Sequence, residues 1–215
     1  MTPDSPPTDR RCVLTPRLGP LLMLLVPLLA ACVPPQGSSG GNQNQSRNLL
    51  AHRVSIAVPA GYCIEPASVL EREDTALLLA GRCAGAEERV PAVLTASIGT
   101  AGSAQGLDIA GNGADLAAFF RSERGRAALS RRGRAVDVRV EEALGIEGAF
   151  LMRLADFGAT RAGPVAVESW RAVLPLDGRL VSLTVTGKAG GPVLGRDAGK
   201  ALIADFVAAT QRANR

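Results

Sequence analysis

Asp177-Gly178 lies between two runs that read as strands, Val165 to Leu174 and Arg179 to Thr186, and no other local pattern restricts the fold of this chain as strongly. Both residues tolerate the positive φ of a type I′ turn, so the two runs should pair as an antiparallel hairpin around Pro175-Leu176-Asp177-Gly178. Upstream, Val136, Val138 and Val140 alternate with Asp137, Arg139 and Glu141, the period of a half-buried strand. Gly145 and Gly148 then separate this run from another strand over Ala149 to Ala155. Four consecutive runs of this kind predict an antiparallel meander.

The first half of the folded region, beginning near Ala51, carries three more strand-like runs. Val54, Ile56 and Val58 alternate with small residues before the turn Pro59-Ala60-Gly61. Tyr62-Cys63-Ile64 ends in a loop at Pro66, and the runs Thr75 to Leu79 and Val90 to Ile98 follow. Gly99 to Gly113 reads as a surface loop. Asn112 or Asp115 can cap a helix to about Ser130, with Leu116, Phe119, Phe120 and Ala127 on one face and a break expected at Gly125. At the end, Leu194, Ala198, Leu202, Phe206 and Ala209 make an apolar helical stripe whose stable part starts near Asp197. The order predicts an α+β domain, an antiparallel sheet of about six to seven strands packed with two main helices. Phe119, Phe120, Phe150, Trp170 and Phe206 are the expected core anchors.

The N-terminal region has a different character. Arg10, Arg11 and Arg17 precede an apolar run from Leu18 to Leu29, and small residues follow, the three parts of a secretory signal. Gly19, Pro20 and Pro27 interrupt the run, which is also too short for the roughly 20 apolar residues a transmembrane helix needs. Leu29, Ala30, Ala31 and Cys32 match residue by residue the bacterial lipobox, and the segment resembles a lipoprotein signal peptide. The resemblance implies cleavage before Cys32, a diacylglycerol group on its thiol and an acyl chain such as palmitate on its amino group. Val33, in place of an aspartate after the cysteine, implies the outer rather than the inner membrane. Arg10-Arg11 also resembles a degenerate twin-arginine export motif.

Val33 to Asn48 is rich in Pro, Gly, Ser, Gln and Asn and lacks the apolar residues to build a core. It reads as a tether of 16 residues spanning roughly 20 to 24 Å by random-coil scaling. The expected organisation is a signal over 1–31, a lipidated cysteine and tether over 32–50, and a single domain over 51–215. Of the four cysteines, Cys12 leaves with the signal and Cys32 carries lipid, which leaves Cys63 and Cys83 as a disulfide in an oxidising compartment.

Composition argues against most chemistry. His52 is the lone histidine and stands at the tether's edge, which disfavours a Ser-His-Asp or Cys-His enzyme. The cysteines are already assigned, so no zinc set is in view, and no pattern calls for a cofactor. Gly195 to Lys200 has three residues, not four, before its Gly-Lys pair, and Ala201 follows, so it is not a phosphate-binding loop. Glu65, Glu71, Glu73 and Asp74 form an acidic patch in a chain with one Trp and one Tyr, too few aromatics for a sugar-cleaving cleft.

Export excludes nucleic acid as a routine partner. Only Lys188 and Lys200 among the 24 basic residues are lysines. Within this arginine-rich background, Arg121, Arg124, Arg126, Arg131, Arg132 and Arg134 stand out as a patch for lipid phosphates, an anionic polymer or an acidic protein face.

The opening Val54-Ser-Ile-Ala-Val-Pro-Ala-Gly-Tyr62 together with the hairpin at Asp177-Gly178 and the final helix resembles the PsbP, Mog1 and DcrB-like group of small α/β sandwiches over about 54 to 210. That resemblance implies a non-catalytic accessory or binding module and assigns no functional residue. The expectation is therefore a lipid-anchored, periplasm-facing envelope protein that binds a protein partner. A carrier of a small molecule or lipid, with residues 99 to 113 gating a cavity, is the alternative, and a carboxylate-dependent hydrolase is a third.

Overall fold

The computed structural model describes residues 45–109, 111–158 and 164–215. The lipobox residues Leu29, Ala30, Ala31 and Cys32 lie outside them. The folded chain begins earlier than Ala51: β1 (Ser46–Leu49) pairs antiparallel with β2 (Val54–Ala57), and the Val58 N–H donates to the Gln45 carbonyl at 2.8 Å. The polar composition of Ser46-Arg47-Asn48 disguises a strand that lies at a sheet edge and buries only Leu49.

The main sheet has eight strands, all antiparallel. They are β3 (Tyr62–Ile64), the two-residue β4 (Leu70–Glu71), β5 (Ala76–Arg82), β6 (Val93–Ile98), β7 (Val138–Ile146), β8 (Ala149–Asp156), β9 (Val165–Leu176) and β10 (Arg179–Lys188), in the spatial order β3-β5-β6-β10-β9-β8-β7 with β4 on β5. The expected meander is present as β7-β8-β9-β10. Its last turn has φ of 47° at Asp177 and 69° at Gly178, the left-handed pair that a type I′ turn demands.

Among the described residues three α-helices cover the sheet. α3 (Arg196–Arg212) presents Leu202, Ile203, Phe206 and Val207 to β9 and β10, in a core shared with Leu78, Leu94, Trp170, Leu183 and Val185. The β1–β2 ribbon lies on the same face: the Thr210 hydroxyl donates to the Ala57 carbonyl, and the Asn214 amide bonds both the N–H and the C=O of Ser55. Asn214 thus supplies β2 with the backbone-like partner that its open edge lacks.

On the opposite face α1 (Gly113–Arg121) and α2 (Glu123–Leu129) cover a smaller core of Leu129, Val138, Phe150, Met152, Leu154 and Val173. Ile109, in the glycine-rich segment read as a surface loop, is buried there as well. The helical region breaks at Ser122 rather than at Gly125. The Ser122 hydroxyl accepts from the Gly125 N–H at 3.1 Å and donates to the Phe119 carbonyl, so it closes one helix and caps the next. Gly125 permits the sharp joint, because a Cβ there would fall 2.0 Å from the Phe119 carbonyl oxygen.

The unequal cover of the two faces accounts for the strand patterns. β8, buried on both sides, is a nearly continuous apolar run. β6 and β10 alternate because Thr95, Ser97, Ser182 and Thr184 face the side with less cover. Two expected core positions are corrected. Phe119 remains 42% exposed at the end of α1, and Val136, read as strand, sits in a 3₁₀ turn over Ala135–Asp137 and is 82% exposed.

Cys63 and Cys83 are joined in a disulfide that links β3 to the residue after β5, closing a loop with a sequence separation of 20. In the chain-entropy account a loop of this size stabilises by roughly 3 kcal/mol. Cys63→Ser/Cys83→Ser should lower the urea-unfolding free energy by about that amount. A reductant should destabilise the wild-type chain and leave the double variant unchanged.

Candidate functional site

Two concave regions of the described surface carry chemically distinctive side chains. The first is a cleft of about 410 Å³ beside the N-terminal end of α3. Its walls are Val165, Ala166 and Val167 of β9, the end of β10 at Gly187 and Lys188, and Ala189 to Leu194 beyond it, and Trp170 is at its inner end. Trp170 fits there because position 199 is glycine: a Cβ on that residue would come 2.7 Å from the indole Cδ1. The indole Nε1–H donates to the Arg196 carbonyl at 3.1 Å, and the Lys200 ammonium lies 6.0 Å from the ring centroid.

The rim of this cleft is an ion network created by a β-bulge. The register of β7 against β8 slips between Val140 and Glu142, which turns the consecutive carboxylates Glu141 and Glu142 towards Arg153 on β8. Arg153 also meets Glu168 of β9 at 3.5 Å, and Arg196 donates to both carboxylate oxygens of Glu142. The Arg196 hydrogen bonds, followed by those from Arg153, hold the Glu142 carboxyl at about 2, against the desolvation that opposes them. The same pairing raises Arg196. Both rim arginines are therefore engaged with carboxylates, and the cleft offers an apolar interior behind a mouth of balanced charge. None of the described residues among 99–113 lines it, so the gate expected from the sequence is not at this cavity among the described residues.

The second region contains the arginine patch. Arg121 ends α1, Arg124 and Arg126 lie on α2, and Arg131, Arg132 and Arg134 follow in the connection to β7. They are not equivalent. Arg126 is half-buried, donating from Nε to the Ala135 carbonyl at 3.3 Å and from Nη1 to the Arg121 carbonyl, which ties the two helices to the turn before β7. Arg134 is paired with Asp137 at 2.8 Å. Arg121, Arg124, Arg131 and Arg132 are exposed and have no acidic partner among the described residues. Arg121 and Arg126 line an open groove of about 520 Å³ with Arg139 and Phe157, two residues the sequence reading did not place in the patch. The Arg139 guanidinium stands 5.4 Å from the centre of the Phe157 ring. Below the turn, Arg171 is lowered first by burial and further by Arg131, while Asp156 opposes both.

The acidic patch dissolves into structural contacts. Glu65 caps a 3₁₀ turn, Glu71 accepts the Leu50 N–H at 2.7 Å, and Asp74 pairs with the buried Arg179 and accepts the Ala101 N–H. The Arg179 hydrogen bond is the main cause holding Asp74 below the ordinary carboxylate range. His52 occupies the β1–β2 turn, its Nδ1 3.1 Å from the Asn48 amide nitrogen. Among the described residues no group of three His, Cys, Asp or Glu side chains is placed to hold a metal ion. No helix among them is long and apolar enough to cross a membrane.

No protein-family model and no curated protein matches the chain.

The Glu142 network has a pH signature. Because its folded pKa lies below the unfolded value near 4.5, Glu142 contributes stability that is fully present above pH 4.5 and disappears as the pH falls through about 2. Glu142→Gln should therefore be less stable at neutral pH and lose less stability than wild type between those limits, as read by urea unfolding across the pH series.

Proposed function

We propose that the protein is a lipid-anchored binding module of a bacterial envelope, facing the periplasm and more suited to the outer than the inner membrane, that acts on an envelope protein without catalysis. The observation that carries this reading is the division of its cysteines. Cys32 closes a Leu-Ala-Ala-Cys segment after an apolar run, and Cys63 and Cys83, the two cysteines of the folded domain, are bonded to each other. A paired, thiol-free domain suits an oxidising compartment, and one diacylglycerol plus one acyl chain suits durable anchoring, at about 0.8 kcal/mol per buried methylene.

The expected consequence is specific to one sulfur atom. In cells fed labelled palmitate, the wild-type chain should take up label and sediment with membranes. Cys32→Ser should lose the label and accumulate as an unprocessed precursor. Crosslinking in intact cells should recover one recurrent envelope protein, and that adduct should vanish when residues 51–215 are deleted but the lipobox and tether are kept.

The cleft beside α3 favours a second reading, a carrier of a small apolar molecule. Its volume of about 410 Å³ falls within the usual range for ligand sites, and its valine and tryptophan walls suit an apolar ligand. On this reading the native protein carries a reproducible extra mass in native mass spectrometry. Val167→Trp, which fills the cleft from β9, should abolish that mass while leaving the unfolding midpoint close to wild type.

A further inference from the structure

We infer that the face formed by the α1–α2 joint, the turn before β7 and the groove wall at Phe157 seats on the anionic phospholipid headgroups of a membrane surface. This rests on the anchored-module reading and adds a second membrane contact to it, made by folded side chains. From Arg121 to Arg139 the chain has seven arginines and two acids, Glu123 and Asp137, and Asp137 is buried against Arg134. The neighbouring Asp156 is buried too, its oxygens accepting the backbone N–H groups of Arg131 and Gly158, so it does not offer a carboxylate to the surface.

Two apolar side chains project from within this positive field: Val136 is 82% exposed and Phe157 56% exposed. Both line the same groove as Arg121 and Arg139. Exposed apolar residues ringed by arginines are poorly suited to water and well suited to a bilayer interface, where the apolar groups enter the headgroup boundary and the cations meet lipid phosphate. The Arg139 guanidinium, 5.4 Å over the Phe157 ring, places both requirements at one spot, since a guanidinium over a ring face still offers N–H groups to phosphate. An acidic protein would satisfy the arginines equally, but a stable protein interface is built around a contiguous apolar core depleted of charge, whereas Val136 and Phe157 are two separate projections ringed by cations, an arrangement that fits the headgroup boundary better.

Reach does not prevent the contact. The chain enters the domain at β1, in the layer on the other side of the sheet, about two layer spacings of roughly 10 Å away. The 12 residues from Val33 to Asn44, expected from their composition to behave as a tether, would span roughly 17 to 21 Å by random-coil scaling, comparable with that distance.

The test uses the full-length lipidated chain carrying Phe157→Trp, reconstituted in vesicles of phosphatidylcholine alone or with phosphatidylglycerol, each containing a brominated phosphatidylcholine. Trp170, only 2% exposed, supplies a constant background. Anionic vesicles should quench the new indole, and salt should reverse the effect. Adding Arg121→Gln, Arg132→Gln and Arg139→Gln should reduce the docking equilibrium roughly a hundredfold, on the order of fivefold for each arginine. Arg72→Gln, at an exposed turn elsewhere, should change nothing. Equal quenching in neutral and anionic vesicles, or none in either while the protein stays vesicle-bound, overturns the inference and points the patch towards an acidic protein. Protein that washes off every vesicle overturns the anchored reading instead.

Discussion

The packing of α3 across β9 and β10 is the interaction on which the rest of the structure depends. Leu202, Ile203, Phe206 and Val207 close the larger core, and Thr210 and Gln211 in the last turn of the same helix, with Asn214 just beyond it, hold the β2 edge and the β7–β8 turn. Its first turns set the cleft, because Gly199 admits Trp170 and Arg196 fixes Glu142. A cavity placed on Phe206 would therefore be felt at both ends of the helix; such a truncation costs about 3 to 5 kcal/mol in a typical core.

The opposite face is built on a different balance. Two short helices, joined at Ser122, cover only the β7–β8–β9 end of the sheet. A cover so small leaves residues at its margin in water, and Phe119, Val136 and Phe157 are the result. These helices and the turn that follows them carry six arginines, some of which are used internally. Arg126 ties α2 to α1 and to the turn, and Arg134 neutralises a buried carboxylate. What remains on the surface is a cationic face with a small apolar component, distinct in composition from the charge-balanced cleft across the sheet.

Legibility in the sequence follows from how local each determinant is. The hairpin at Asp177-Gly178, the four-strand meander and the final helix depend on turn chemistry and on periods of two and 3.6 residues, and these are visible along the chain. The Cys63–Cys83 bond is legible from cysteine arithmetic: setting aside Cys12 and Cys32 in the signal-like segment leaves one pair. β1 was hidden because an edge strand needs few apolar residues, and Asn48 and Ser55 are spent on bonding each other. The helix break was displaced by three residues because a glycine signals flexibility, while the cap at Ser122 sets where the axis turns. The site features were least legible. The cleft rim needs Glu141, Glu142, Arg153, Glu168 and Arg196 from four separate elements and a one-residue bulge, and the pairing of Arg139 with Phe157 joins residues across a strand pair.

The central claim is that the chain's cysteines are divided between a lipid anchor and a structural bond. Intact-mass analysis of the mature protein extracted from its native membrane, before and after reduction, tests it in one step. The account predicts a chain that starts at Cys32, carries diacylglycerol and acyl mass on that residue, and gains two hydrogens when Cys63 and Cys83 are reduced. A mature chain that starts elsewhere without lipid, or one whose folded domain gains no hydrogens on reduction, would contradict it.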